Sequence, residues 1–522
     1  MKSLLPVHLF IVFVFIILLP GCSLFNNVTR EVNTKESFRA LTEKEIGDIK
    51  SKTPYLKVHM KNGYVYVLNN WVNDNKDNIV YGDGVLYNEE RDSLKTGEFI
   101  VGMDSVSLLE TNVLKPSGAQ TALTIFAGIT AAITVACIMN PKACFGSCPT
   151  FYVEDDSGLH LRAEGFSSSI APSMEATDID ALYRAAKGGE EFHLEMRNEA
   201  LETHVVRKAD LIAVPKGKGS RVFADNNGNF WESKTIIPPV LANTEEGDAV
   251  KLLGSFDEKE WFSKSDSNYL GTKEIIELEF KNVPNSKKGI VIGCRQTLLS
   301  TYLLYQALAY MGNNTGYWLS LMERQKIKIN ENAMSKIMGG IEVLTQDSSG
   351  NWNINGVLDE QGPLADDLHL IPLNKSLGKN LKVRLRMTKG NWRIDYTALA
   401  LDLMQRDPIR IKPNEVLKEG IPDKESLSLL CDSTKVLITL PGDNYTLNYK
   451  IPNNAENYEL FLESRGYYLE WIRKEWQQEG NTFYLTQMLM DPENALKRLA
   501  PEFKSVESKM EESFWRSRYA KP

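Results

Sequence analysis

Apolar and polar residues alternate with a period of two along much of this chain, the spacing that turns one face of a strand to a core and the other to solvent. Tyr55-Leu56-Lys57-Val58-His59-Met60 and Tyr64-Val65-Tyr66-Val67-Leu68 carry it first, joined by Lys61-Asn62-Gly63, a favourable hairpin turn. With Ile79 to Tyr87, Glu98 to Val101 and Ser105 to Glu110, the pattern predicts a small antiparallel sheet or barrel of about five strands over residues 51–115. A β-rich segment over 141–271 follows, with Thr150 to Val153, Leu159 to Ala163, Phe192 to Val206 and Leu211 to Val214 as strands. Within it, Thr177-Asp178-Ile179-Asp180 has the form of a capping box that opens a short helix. Residues 272–445 predict a β-sandwich-like unit with a helical insertion. Its strands are Ile275 to Phe280, Gly289 to Cys294, Gly340 to Thr345, Leu368 to Leu373, Leu381 to Thr388 and Ala398 to Leu401. Ser348-Ser349-Gly350-Asn351-Trp352 marks a turn, and Gln296 to Met311, apolar nearly all round, a helix buried between sheets. Over 446–522 the spacing of Tyr458, Phe461, Leu462, Tyr468, Leu469, Ile472 and Trp476 predicts a helical C-terminus. Asp491-Pro492 starts one further helix and Pro501 another. The fold class expected is mainly β with helical additions, α+β.

Two stretches break the alternation by carrying no charge. The first, Leu4 to Leu19, follows Lys2 and ends at Leu19-Pro20-Gly21-Cys22, which gives the charge, apolar run and small-residue site of a secretory signal over residues 1–21. A cysteine directly after Gly21 resembles the lipobox of bacterial lipoproteins, although Pro20 is a less usual residue there. The resemblance implies cleavage before Cys22, lipidation of its thiol, and a polar tether over 22–50. Two or three acyl chains anchor stably, because each buried CH₂ adds about 0.8 kcal/mol. Ser23 rather than Asp after the cysteine favours the outer membrane by the sorting rule of enteric bacteria. An ordinary signal peptide or signal anchor with an incidental cysteine is the alternative. The second stretch, Ala119 to Met139 within 116–140, has the length and polarity of a transmembrane helix. A lipid anchor would place the sheet before it outside the cytoplasm, and a disulfide after it would place that flank there too, which one span cannot do. Small residues such as Ala127, Gly128, Ala131 and Ala132 suit a buried or membrane-surface helix as well as a span.

Composition narrows the function classes. Sixty Lys and Arg against 68 Asp and Glu give a net charge of −8, against a nucleic-acid partner. The 43% hydrophobic content excludes a disordered chain, and 522 residues imply more than one domain. Setting Cys22 aside, Cys137, Cys144, Cys148, Cys294 and Cys431 remain, an odd number for an oxidising compartment. In Cys144-Phe145-Gly146-Ser147-Cys148-Pro149 the glycine permits a tight turn, so a Cys144–Cys148 disulfide is one reading; a buried free pair and redox chemistry are others. The six histidines form no pair at ligand spacing, so neither a metal nor a cofactor is expected. This Cys-Phe-Gly-Ser-Cys-Pro segment before a strand-turn-strand resembles a family of bacterial secreted proteins and lipoproteins, most specifically over Asn140 to Val214. No activity is assigned to that family, so the resemblance implies an envelope location and a β-rich build. Loosely, residues 272–402 also look like the jelly-roll sandwiches of galactose-binding type, with no motif that carries over their ligand residues.

Candidate chemistry is sparse. No phosphate loop, zinc-protease helix or nucleophile elbow is present, and Ser376-x-x-Lys379 and Lys95-Thr96-Gly97 stand in the reverse order to penicillin-recognising enzymes. Glu202 and His204 share one face of a predicted strand near Asp210, a general-base pair on paper and more simply a solvent-facing pair. Asp359, Glu360, Asp366 and Asp367 cluster about Gly362-Pro363, where carboxylates could hold Ca²⁺, serve a glycosidase or form a solvated loop. Trp352, Trp392 and Tyr396 could stack on a sugar, or fill a sandwich core. The function expected is a lipid-anchored envelope protein that binds a glycan or another envelope protein without catalysis, with Trp352, Asp359, Asp366 and Trp392 as candidate ligand contacts. The alternative is a glycosidase-like hydrolase using the acidic cluster.

Overall fold

In the computed structural model of this chain the described residues are 26–34, 38–40, 46–47, 56–60, 64–87, 93–116, 148–155, 158–170, 174–182, 189–200, 202–312, 333–359, 361–374, 379–439, 442–470 and 479–517. Cys22, Cys144, Glu360 and Ala119 to Met139 lie outside them. Among the described residues no helix is long and apolar enough to cross a membrane. The chain divides into two compact units: residues 1–132 with 311–320 and 472–480, and residues 133–310 with 321–471 and 481–522.

In the first unit the alternation becomes an open, antiparallel six-stranded sheet in the order Asn26–Thr34, Val106–Pro116, Leu56–Met60, Val65–Asp74, Ile79–Tyr87, Ser93–Gly102. All five expected strands are there. The sixth, Asn26–Thr34, comes from the polar stretch read as a tether and pairs with Val106–Pro116 at the edge. One face buries Leu56, Val58, Leu68, Trp71, Val80, Phe99 and Val101, with Phe38 tilted against Trp71. A register shift between Asn69 and Val72, with Asn70 at φ +45°, brings Leu68 and Trp71 to the same buried face at a spacing of three.

Four sheets make the second unit, and three apolar cores give their order. The first sheet runs Ile421–Pro422, Glu415–Lys418, Asn444–Lys450, Glu191–Arg197, Thr150–Asp155, Gly158–Glu164. The second runs Ile409–Ile411, Glu202–Pro215, Tyr458–Glu470, Ala176–Ala181. Leu194, Met196 and Leu447 of the first meet Leu211, Ala213, Leu460 and Leu462 of the second. The alternate residues Ile212, Val214 and Phe461 face the other way, onto Val291, Leu368 and Leu370. Those belong to a third sheet, whose centre is Trp392–Leu401, Lys288–Gln296 and Asp367–Leu373. Its opposite face, with Ile290, Ile292 and Ile394, packs on Ile276, Leu278, Val383 and Leu385. These come from the fourth sheet, built on Lys273–Phe280, Leu381–Thr388, Ile341–Gln346 and Trp352–Leu358. The result is a stack of four β layers, mainly β with helices added, in which the inner two layers are buried on both faces.

The sandwich expected over 272–445 is the third layer on the fourth, and its named strands fall where the alternation puts them. Two turns share one device: Asp225 Oδ1 accepts from the N–H groups of Asn227 and Asn229, and Asp347 Oδ1 from those of Ser349 and Asn351. Two expectations are corrected. Thr177 to Asp180 lies in the strand Ala176–Ala181, paired with Tyr458–Glu470, and opens no helix. Tyr458 to Glu470 is itself a 13-residue strand at the centre of the second layer, because a run apolar on both faces loses the period that separates strand from helix. Helices do follow, Thr482–Met490 and Pro492–Ser517, the second starting at Pro492 as expected and containing Pro501 rather than ending before it. Its buried Leu496, Leu499, Phe503, Val506, Met510 and Phe514 recur at helical spacing. The helix Leu299–Met311 buries most of its residues, as expected, and sets Tyr302 against Phe503 and Tyr310 against Tyr484.

Candidate functional site

Edge strands of the first and second layers end beside the third, and there the layered unit holds a cleft of about 270 Å³. Strand Gly158–Glu164 supplies His160 and Arg162, the loop after Leu253 supplies Phe256, Glu258 and Glu260, and strand Lys288–Gln296 supplies Arg295. Leu364 and Asp366 come from the loop before Asp367–Leu373, and Glu511 from the helix Pro492–Ser517.

Arg295 organises the charges. Its Nε and Nη2 donate to Glu260 Oε1 and Oε2 at 2.5 and 2.9 Å, Nη2 also to Glu511 Oε1 at 2.6 Å, and Nη1 to the Pro363 carbonyl at 2.7 Å. Burial works against its charge, but Glu260 and Glu511 more than compensate and hold it protonated. Arg393 lies on the same two carboxylates, donating to Glu260 Oε2 at 3.1 Å and to Glu511, with its guanidinium 4.0 Å over the Phe262 ring. Asp366 is different. Burial and the neighbouring Glu260 carboxylate push it up to about 7 against the pull of Arg295, so near neutrality it exchanges its proton. At the rim Arg162 pairs with Glu258 at 3.1 Å, and Glu258 takes a left-handed φ of +69°.

Buried carboxylates hold the walls. Asp395, fully buried, accepts from the N–H groups of Asp257 and Glu258 at 3.2 and 3.1 Å and so fixes the loop that carries Glu260. Glu164 accepts from Leu364 N–H at 2.8 Å and from the Cys148 thiol at 3.3 Å, which fixes the loop that carries Asp366. Burial pushes Glu164 up to about 7 although these donors oppose it. Asp178 is pushed to about 6 by burial and the Asp367 charge, and Asp180 well up by burial. Burial also disfavours the charges of Asp367 and His369, but their 2.7 Å contact outweighs it, leaving Asp367 below and His369 above its ordinary value. Among the described residues no group of three His, Cys, Asp or Glu is placed to hold a metal ion.

Of the ligand contacts expected from sequence, Asp366 alone lines the cleft. Asp359 lies on the surface within 3.4 Å of Asn226 Nδ2. Trp352, on the fourth layer, stacks on Arg384 at 4.0 Å. Trp392 is fully buried in the core of the third and fourth layers, where no ligand face remains. The acidic cluster is divided, since Asp366 faces the cleft and its neighbour Asp367 the buried His369. Cys148 is a buried free thiol, and Cys144, its expected disulfide partner, lies outside the described residues. Burial raises the thiol well above its ordinary pKa. Glu202 and His204 do meet, at 3.2 Å, but both are buried rather than facing solvent. Arg295, Glu260 and Glu511 went unnoticed because 35 and 216 residues separate Arg295 from its two partners. Asp367-x-His369 carried a legible signal, the same i,i+2 spacing on a strand as Glu202-x-His204.

No family model matches the chain, and no curated protein matches it. Among solved structures, the secreted serine protease VesC from Vibrio cholerae is aligned over 68% of this chain and 97% of its own, at 7% identity and a TM-score of 0.15, a likeness too slight to carry any argument.

Proposed function

We propose that this chain is a lipid-anchored protein of the bacterial cell envelope, held in the outer membrane through Cys22, whose layered unit binds a glycan in the charged cleft without catalysis. The observation that carries the binding role is the cleft itself: a small polar cavity whose acids and guanidiniums are fixed by buried partners, beside one apolar face from Phe256. Such a wall offers many oriented donors and acceptors to sugar hydroxyls, and among the described residues that line it there is no Ser, Thr or Cys. The anchor rests on Leu19-Pro20-Gly21-Cys22. A glycan array probed with the wild type and with the rim variant Arg162→Ala/Glu258→Gln tests the binding role. Binding that the rim variant loses is expected; an array on which both proteins bind alike, or neither binds, removes the cleft from the proposal.

A second reading has a specific observation in its favour. Asp366, pushed up to about 7 by burial and the neighbouring Glu260, has the raised proton affinity that a general acid needs in glycoside hydrolysis. Release of reducing ends by the wild type and its loss in Asp366→Asn would replace the binder with a hydrolase.

A further inference from the structure

We propose that an anion subsite adjoins the cleft, made by the guanidinium of Arg295, which lines it, and that of Arg393, which reaches the same two carboxylates from beyond the lining, and filled in this structure by the chain's own Glu511, so that the ligand carries a carboxylate and enters by displacing that side chain. This rests on the reading of the cleft as a binding site and names the chemistry of what it takes.

The two arginines are bridged twice. Glu260 bridges them from a loop pinned by Asp395, with its side chain 12% exposed. Glu511 bridges them from the other side with its side chain 32% exposed, so it is the more accessible of the two. Its bridge is also incomplete. Arg295 presents Nε and Nη2 side-on to both oxygens of Glu260, the fork geometry that suits a carboxylate best. Arg393 presents Nη2 to Glu511, while its Nε on the same edge is buried with no hydrogen-bond partner. A ligand carboxylate in that place can take Nε and Nη2 together. Meeting a buried donor that is otherwise unmet favours the exchange.

Charge selects the ligand class. Without Glu511, the two largely buried guanidiniums would share Glu260 as their common carboxylate, with Asp366 only at 3.9 Å from Arg295. A neutral sugar cannot replace the lost anion, so the exchange needs a ligand that brings its own, such as a uronic acid.

Titration calorimetry of the full chain with D-glucuronate, D-glucose and acetate tests this. The wild type is expected to bind glucuronate over glucose, Glu511→Gln to bind it about tenfold more tightly, and Arg393→Lys, which keeps the charge but removes the fork, about tenfold more weakly. Acetate matching glucuronate would assign the subsite to small carboxylates, and acetate failing would assign it to a sugar acid; the Glu511 exchange stands in both. Glucuronate affinity unchanged or weakened in Glu511→Gln overturns the inference. A neutral glycan bound equally by the wild type and Glu511→Gln would do so while leaving the cleft a binding site. No binding of any sugar, charged or neutral, would remove both.

Discussion

Glu164 shows how one buried side chain governs a loop 200 residues away in sequence: its carboxylate takes the N–H of Leu364 and the thiol of Cys148, and Gly362 runs directly across it. A Cβ at position 362 would overlap that carboxyl group. Gly362→Ala is therefore expected to cost about 1–3 kcal/mol and to shift Asp366, measured as a lowered urea midpoint with loss of glycan binding. A normal midpoint would mean that the loop gives way without cost. The thiols give a second expectation at this scale. Burial raises Cys148 and Cys294 well above their ordinary pKa, so both should resist alkylation in the folded chain and react after unfolding without reductant. Cys148 reacting only after reduction would restore the disulfide with Cys144.

At the scale of elements, the strand Tyr458–Glu470 is the informative case. Phe461 and Leu462 are both fully buried, one against the third layer and one against the first, and such a two-sided strand has no polar stripe by which its period can be read. Thr177 to Asp180 misleads for another reason: Thr177 and Asp180 have the spacing of a capping box, but the strand half-buries Asp178 and buries Asp180. Half-buried strands such as Lys273–Phe280, whose burial alternates along its length, were legible because one face meets solvent. Phe461→Ala should remove about 3–5 kcal/mol by opening a cavity against Phe230, 5.0 Å away between ring centroids, and denaturant unfolding measures it. A loss below about 1 kcal/mol would mean that the two layers are not packed there as described.

For the whole molecule, pH is the discriminating variable. Glu164, Glu274 and Asp366 are held near 7 and Asp178 near 6, burial being the first cause in each. For acids raised on folding, the unfolded chain releases its protons first, so stability is highest below the ordinary carboxylate pKa and falls as pH rises to about 7. Burial opposes the charges of Glu175, Glu232 and Glu463, but Arg207 and Arg465 lower the first, the Gly217 N–H, Ser220 and Arg406 the second, and Lys208 and Arg410 the third, so all three withdraw stability as pH falls through the acid range. Maximum stability is thus expected near pH 5, with a decline toward pH 8, to which Glu164 contributes about 3 kcal/mol. Glu164→Gln should flatten that decline in unfolding measured from pH 5 to 8; an unchanged slope would show that Glu164 is ionised throughout. At the same scale, intact mass of the membrane-extracted protein should show an acylated N-terminus at Cys22, and Cys22→Ser should leave the membrane fraction. A chain that keeps Met1 and its free thiol would end the anchored reading.

Local pattern was enough to read the mainly β build, most half-buried strands and the last helix's start, since each depends on residues within a few positions of one another. Long-range packing decided the rest. Which faces stack, and hence that Trp392 is core and Asp366 is cleft, follows from pairings between distant strands. The cleft's Arg295, Glu260, Asp366 and Glu511 come from four separate elements, and no local spacing records that they converge. Burial then gave those groups their chemistry, because a carboxyl group's proton affinity is set by the charges and solvent around it rather than by its neighbours in the chain.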